Sequence, residues 1–276
     1  MPSLVPLAAM SAQLPLPAPP VPGVDDRWAL FLDVDGTLLD FVDHPDQVCV
    51  HSRLRELIED LYGALDGALA LVSGRSLDDL DDLFGHPPWA MAGLHGLELR
   101  GADGRYRGVH IGASRRSLVR DIAGTVAAAL PGVMMEDKGM AVALHCRTSP
   151  QLFERLREQV QGVLPSLAGY EMQPGNMVIE LKPEGMDKGS AVAALMSAWP
   201  FRERQPVYVG DDLTDEHGFA MANLEGGLSI RVGSREPSLA RYSLSDPAAA
   251  RAWLFRVLHA LKHGALSHAH SSGGKH

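Results

Sequence analysis

Short unbroken apolar runs alternate along this chain with stretches whose apolar residues recur every three or four positions. Ala29-Leu30-Phe31-Leu32 is one such run and ends in Asp33; Ala68 to Val72 is another and ends in Ser73-Gly74-Arg75. Runs of this length without polar alternation predict strands buried on both faces of a parallel sheet. Between them Leu54, Leu57, Ile58, Leu61 and Leu65 fall at helical spacing, and a short helix is expected near Leu77 to Phe84. Towards the carboxyl end the alternation returns. It predicts a helix over Lys188 to Ala198, a strand over Pro206 to Val209 and a helix over Leu213 to Asn223, then a strand over Gly227 to Val232 and a last helix over Ala248 to Leu261. Repetition of strand, loop and helix predicts an α/β fold built on a doubly wound parallel sheet.

The middle of the chain has another rhythm. Gly96 to Arg100 alternates, Gly101-Ala102-Asp103-Gly104 makes a turn, and Arg105 to Ile111 runs on, which is a hairpin signal. Leu118, Ile122, Val126 and Leu130 mark a helix. Val133 to Asp137 and Met140 to Cys146 form a second hairpin around Lys138-Gly139. Leu152, Phe153, Leu156, Val160 and Val163 mark a second helix, and Met177 to Leu181 a strand. These elements predict a small α+β module inserted into the α/β domain. The division expected is a core over 24–100 and 183–262 and an inserted module over 101–182. A flexible Pro-rich arm over 1–23 and a disordered His/Ser/Gly-rich tail over 263–276 complete it. No internal repeat or heptad pattern is present.

Composition narrows the class. Hydrophobic residues make up 46% of the 276 positions, enough for a substantial core, and the formal net charge of -9 comes without any long Lys/Arg run. A nucleic-acid partner is therefore not expected. No stretch of about 18 apolar residues occurs, so no membrane span is expected either. Cys49 and Cys146 fit neither a metal knuckle nor a redox pair; two buried free thiols in a reducing cytoplasm are expected. An acidic protein that binds an anion must build a local positive site, which draws attention to individual Lys and Arg near any motif.

Four such motifs stand at strand ends or helix starts. Asp33-Val34-Asp35-Gly36-Thr37-Leu38 places two carboxylates two residues apart at the carboxyl end of a buried strand, where open α/β sheets bind ligands. One carboxylate can attack phosphorus, the other can protonate a leaving oxygen, and a hard cation can relieve their repulsion; a solvated Asp-rich turn is the plain alternative. Val209-Gly210-Asp211-Asp212-Leu213-Thr214-Asp215 has the same form, with helix capping as its alternative. Ser73-Gly74-Arg75 offers a hydroxyl and free N–H groups for phosphate, or is a simple turn. Lys188-Gly189 opens a helix with a cation that can neutralise phosphate, or is a surface lysine.

In this order the four motifs resemble those of the haloacid-dehalogenase-like (HAD) superfamily. The resemblance implies a HAD-like, Rossmannoid core with an inserted cap. It implies that Asp33 is the nucleophile, that Asp35 is the general acid/base, and that Thr37, Ser73, Gly74, Arg75 and Lys188 hold the phosphoryl group. It further implies Mg²⁺ bound by the Asp33 carboxylate, the Asp35 carbonyl and Asp211, with Asp212 and Asp215 supporting. Gly93-Leu94-His95-Gly96, Glu136-Asp137-Lys138-Gly139 and Gly175-Asn176-Met177-Val178-Ile179-Glu180-Leu181-Lys182-Pro183, with the acidic loop, are similar to the trehalose-6-phosphate phosphatases over roughly Trp28 to Leu258. By that likeness Glu136, Lys138, Asn176, Glu180 and His95 contact the sugar. His95 stands also as a packing residue at the module boundary, and His145 and His217 as structural.

The expected activity is hydrolysis of trehalose 6-phosphate to trehalose and phosphate in the cytoplasm, with Mg²⁺ as cofactor and a sugar phosphate as partner. A monomer is expected, with association to the trehalose-6-phosphate synthase left open. The rivals are a phosphatase for sucrose phosphate or a hexose phosphate, a catalytically dead sugar-phosphate sensor, and a phosphomutase.

Overall fold

A computed structural model describes residues 16–23, 25–40, 49–108 and 112–272 of the chain, without the side chains beyond 263. From the amino end, β1 (Trp28–Leu32) leads through α1 (Ser52–Ala64) to β2 (Leu69–Val72), and α2 (Leu77–Phe84) leads to β3 (Ala90–Gly93). β4 (Glu98–Arg100) and β5 (Tyr106–Gly108) follow. The inserted module holds α3 (Ala113–Ala129), β6 (Met134–Asp137), β7 (Val142–His145), α4 (Phe153–Val163), β8 (Tyr170–Gly175) and β9 (Val178–Pro183). The chain then returns through α5 (Lys188–Met196), β10 (Gln205–Gly210), α6 (Glu216–Leu224), β11 (Leu228–Val232), β12 (Tyr242–Leu244) and α7 (Pro247–Ser272).

The main sheet has eight strands in the order β12-β11-β10-β1-β2-β3-β4-β5. All pairings from β12 to β3 are parallel, as the apolar runs predict. β1 is the pivot: Leu32 stands beside Val209 on one side and Leu71 on the other. The chain winds away from β1 in both directions, so the ends of β1 and β10 open a crevice at a topological switch point. Asp33, Ser73 and Asp211, each the first residue or so beyond its strand, gather there because the register is parallel and even.

The four-stranded antiparallel sheet of the insert has the order β6-β7-β9-β8. Its face packs on α3 and α4 around Val119, Leu144, Leu156, Val160 and Leu181. This apolar cluster shares no residue with the larger one built on the main sheet. Among the described residues no helix is long and apolar enough to cross a membrane.

Several expectations need correction. The first hairpin, β4–β5, joins the main sheet rather than the insert: β4 pairs antiparallel with β3, and Arg100 forks onto Asp81 of α2 at 2.7 and 2.9 Å. Alternation reports a hairpin but not the sheet it extends; residues 109–111 of that run lie outside the described residues. β8 carries Pro174 and gave no strand signal, yet it is the sheet edge, where a missing N–H is tolerated. Residues 16–23 of the presumed arm lie against the core. Pro19 and Pro22 are buried, Leu16 packs on the core, and the Pro20 carbonyl accepts from Trp253 Nε1 at 2.8 Å. Prolines rule out a helix, but their preset extended backbone leaves carbonyls ready to accept. Residues 1–15 lie outside the described residues. At the other end α7 continues to Ser272, because no proline interrupts it; His276 lies outside the described residues. Cys146 is buried but Cys49 is exposed, the neighbouring Val50 taking the inward position.

Candidate active site

Asp33 leaves β1 with its N–H on Val209 O at 2.9 Å, so the backbone that presents it is a continuation of the sheet. Its carboxylate is buried. Lys188, the first residue of α5, reaches it from the side: Nζ lies 2.7 Å from Asp33 Oδ1 and 2.6 Å from Asp215 Oδ1. The α5 start is fixed by Asp187, whose side chain accepts from Ser190 N at 2.7 Å. Asp215 is fully enclosed. It accepts from Lys188, from Tyr208 Oη at 2.8 Å, and from the N–H groups of Asp211 and Asp212 at 3.0 and 2.9 Å. Four donors fill its acceptor positions. Gly210 is glycine for room: a Cβ there would lie 2.3 Å from Asp215 Cγ.

Carboxylate oxygens of Asp33, Asp211 and Asp215 lie within 4.8 Å of one another. One ammonium faces three carboxylates, and the electrostatics register the imbalance. Burial, then the charges of Asp215 and Asp211, push the Asp33 carboxyl well above its ordinary range despite Lys188. Burial and Asp215 push Asp211 up to about 7. A second positive charge would relieve this strain, and oxygen donors suit a hard divalent cation. Asp33 and Asp211 keep acceptor capacity for it; Asp215 is occupied by its four donors. Thr37 Oγ1 donates to Asp211 Oδ1 at 3.1 Å.

Across the crevice, Arg75 forks onto Asp35: Nε to Oδ2 and Nη2 to Oδ1, each 2.7 Å. Ser73 is buried and its Oγ accepts from Arg75 N at 3.2 Å. The guanidinium, grouped by the sequence with the phosphate-holding residues, is thus directed at the second carboxylate of the D-x-D pair.

The insert reaches down to the same place. Glu180 on β9 is buried, with Oε2 2.9 Å from His95 Nε2 and Oε1 2.5 Å from Lys138 Nζ. Lys138 also donates to Gly74 O at 3.3 Å. Burial would raise the Glu180 carboxyl, but the charges of His95 and Lys138 outweigh it and hold it far below the usual range. His95 sits in the left-handed region at φ 56° after Leu94 at φ 47°, which turns its ring over Gly74. A Cβ on Gly74 would lie 2.6 Å from the His95 ring, so the glycine makes space for the histidine. Glu136 instead pairs with His145, 2.8 Å away on the same sheet. Asn176 is exposed at the β8–β9 turn; a Cβ on the adjacent Gly175 would lie 4.0 Å from Asp212 Oδ2, which sets this hairpin tip above the acidic loop.

The structure also shows residues the sequence did not single out. Tyr208 braces Asp215 from inside β10. Arg235, in the β11–β12 loop, donates to the carbonyls of Asp211 and Asp212 at 3.3 and 3.1 Å and pairs with Glu216 at 2.5 Å. Neither lies in a local motif: Tyr208 reads as one more apolar strand residue, and Arg235 is far from the acidic loop in sequence.

A family model described as trehalose-phosphatase matches residues 31–248. The chain is 40% identical over 249 residues to the trehalose-6-phosphate phosphatase of Escherichia coli K12, covering 89% of this chain and 92% of that one. It is 44% identical over 216 residues to a probable trehalose-phosphate phosphatase of Sinorhizobium fredii, covering 77% and 80%. Its fold is similar to the C-terminal domain of trehalose-6-phosphate phosphatase from Candida albicans, with a TM-score of 0.75 at 20% identity over 85% of this chain and 93% of that one.

Proposed function

The chain belongs to the trehalose-phosphatase family of the HAD superfamily, and from that premise we propose that it hydrolyses trehalose 6-phosphate through a phosphorylated Asp33. The observation that carries the mechanism is the buried Asp33 carboxylate, held by Lys188, two residues before an Asp35 held by Arg75.

The Asp33 oxygen attacks phosphorus and the bond from phosphorus to the sugar oxygen breaks. Asp35 gives that oxygen a proton, so trehalose leaves neutral. Asp35, now a carboxylate, takes a proton from water; the water oxygen attacks phosphorus, phosphate departs and the Asp33 carboxylate is restored. Lys188 keeps Asp33 oriented and offsets the incoming charge, with the Ser73 hydroxyl and the Gly74 N–H as further donors at the phosphoryl oxygens. Asp33 and Asp211, with the Asp35 carbonyl, would hold Mg²⁺, which when bound screens the phosphate from the carboxylates. Asp215 and Asp212 brace the loop that carries Asp211.

These core residues address phosphate and cannot distinguish one ester from another. Recognition of the sugar then falls to the insert: Glu180 and Lys138, paired beside His95 and Gly74, with Glu136 and Asn176, are suited to sugar hydroxyls, carboxylates accepting and the ammonium donating. A phosphate-release panel tests the reading: trehalose 6-phosphate, sucrose 6-phosphate and glucose 6-phosphate, each with Mg²⁺ and with chelator. Turnover of trehalose 6-phosphate well above the others, abolished by chelator, is expected. Preference for either other ester would replace the substrate assignment, and no release from any would remove the phosphatase mechanism.

A further inference from the structure

The geometry points to Arg75 as a positioning residue for Asp35 rather than as a phosphate ligand. It rests on the proposed acid/base role of Asp35, and it gives that role a physical support.

The Asp35 side chain is about one-third exposed and projects from a loop, just before Gly36 at φ 83°. A carboxylate so placed has free rotation available, and a proton donor that rotates away from the leaving oxygen loses rate. Arg75 removes that freedom. Its fork engages both Asp35 oxygens at 2.7 Å, the two-pronged geometry a planar guanidinium supplies and an ammonium does not. The fork itself stands on a fixed base. Arg75 N donates to Ser73 Oγ, Arg75 O accepts from Leu94 N at 2.8 Å, and Ser76 beside it caps α2 through Asp79 N at 3.1 Å. The chain from β2 to α2 thus holds the guanidinium, and the guanidinium holds the carboxylate. The fork commits two of the five guanidinium N–H groups to Asp35, while the donor on Asp33 is Lys188.

The segment that carries Arg75 also meets the insert. Gly74, next in the chain, receives Lys138, and Glu136 contributes to the field at the guanidinium.

The test compares Arg75→Ala and Arg75→Lys with the unchanged chain, using trehalose 6-phosphate and p-nitrophenyl phosphate as substrates and inorganic phosphate as inhibitor. A positioning role lowers kcat about 10²-fold in both variants, because lysine keeps the charge but not the fork. KM for p-nitrophenyl phosphate and the inhibition constant of inorganic phosphate then stay within about twofold. An inhibition constant that rises about tenfold or more in step with the loss of rate makes Arg75 a phosphate ligand and overturns the inference. A lysine variant with kcat near the unchanged value overturns it too, because charge would then suffice. If Arg75→Ala does not fold, Arg75→Lys carries the decision alone. An unchanged chain that turns over p-nitrophenyl phosphate but not trehalose 6-phosphate removes the sugar assignment and leaves this comparison intact.

Discussion

The Nζ of Lys188 lies 2.7 Å from Oδ1 of Asp33, and both side chains are almost wholly enclosed. A charge-assisted contact of this length inside the protein fixes where the carboxylate points. The lysine is itself secured by Asp215, so Asp33 is aimed by a chain of contacts running into β10 and α5.

Asp33→Asn should therefore keep the fold and lose the reaction. The amide preserves shape, and Lys188 retains Asp215 as its partner. Turnover should fall by at least about 10³-fold. Phosphate release together with a thermal melt of the purified variant checks both halves; a folded variant with ordinary turnover would exclude attack by Asp33.

Metal dependence should respond to Arg235, whose guanidinium lies on the carbonyls of the acidic loop. Chelator should stop turnover and Mg²⁺ restore it. Arg235→Ala frees the carbonyls of Asp211 and Asp212 and leaves Glu216 with the Leu239 N–H but without its cationic partner, so the loop should bind the metal ion less tightly. The Mg²⁺ concentration for half-saturation should rise about tenfold, in the range that outer-shell changes give. Calorimetric titration with Mg²⁺ supplies a reading independent of rate; unaltered affinity would mean that the loop holds itself.

Gly74→Ala should act on the sugar and not on the phosphate. The new methyl meets the His95 ring at 2.6 Å, and the ring must swing away from Glu180. The backbone N–H at position 74 survives. KM for trehalose 6-phosphate should rise about tenfold with little change for p-nitrophenyl phosphate. Equal losses on both esters would show that the methyl disturbs the phosphate pocket instead.

Glu180→Gln should separate from the unchanged chain in a pH-dependent way. His95 and Lys138 hold the Glu180 carboxyl below its unfolded value despite burial. The carboxylate thus stabilises the fold above its unfolded pKa of about 4.3, and this contribution is lost as pH falls below that value. Melting temperatures of the two proteins should differ most near neutrality and begin to draw together only below about pH 4, the gap closing gradually as pH falls towards the lowered folded value. A gap that stays constant across that range would mean that the pair adds nothing by its charge. The same variant should lose far more kcat/KM on trehalose 6-phosphate than on the small ester.

What the sequence disclosed of this arrangement was local. Asp33, Asp35, Ser73, Lys188 and Asp211 follow strands or open helices, and short motifs report such positions because strand ends and helix starts are set by neighbouring residues. The parallel sheet followed from the same runs. The contacts that tie these residues together run between distant positions and are not legible in the sequence: Arg75, marked for phosphate, on Asp35, and Tyr208 on Asp215 and Arg235 behind the acidic loop, neither in a motif. The family likeness marks His95 as a sugar contact, but its pairing with Glu180 is not legible in the sequence, since it depends on a left-handed turn and on room at Gly74. The β4–β5 hairpin was recognised and assigned to the wrong sheet, because alternation does not say which edge a hairpin extends. Pro174 concealed β8, whose edge position only the sheet order reveals.

The two larger apolar clusters have no residue in common; between the units lie only a small apolar cluster of Leu94, Leu97 and Ala141 and polar contacts, His95 to Glu180 and Lys138 to Gly74 O, among the described residues. A protein assembled this way has two units that can open separately. The smaller unit holds the groups suited to recognising the sugar; the larger holds those suited to breaking the ester. Under mild denaturant or gentle heating the smaller unit should melt first, so that discrimination between esters fades while phosphate is still released.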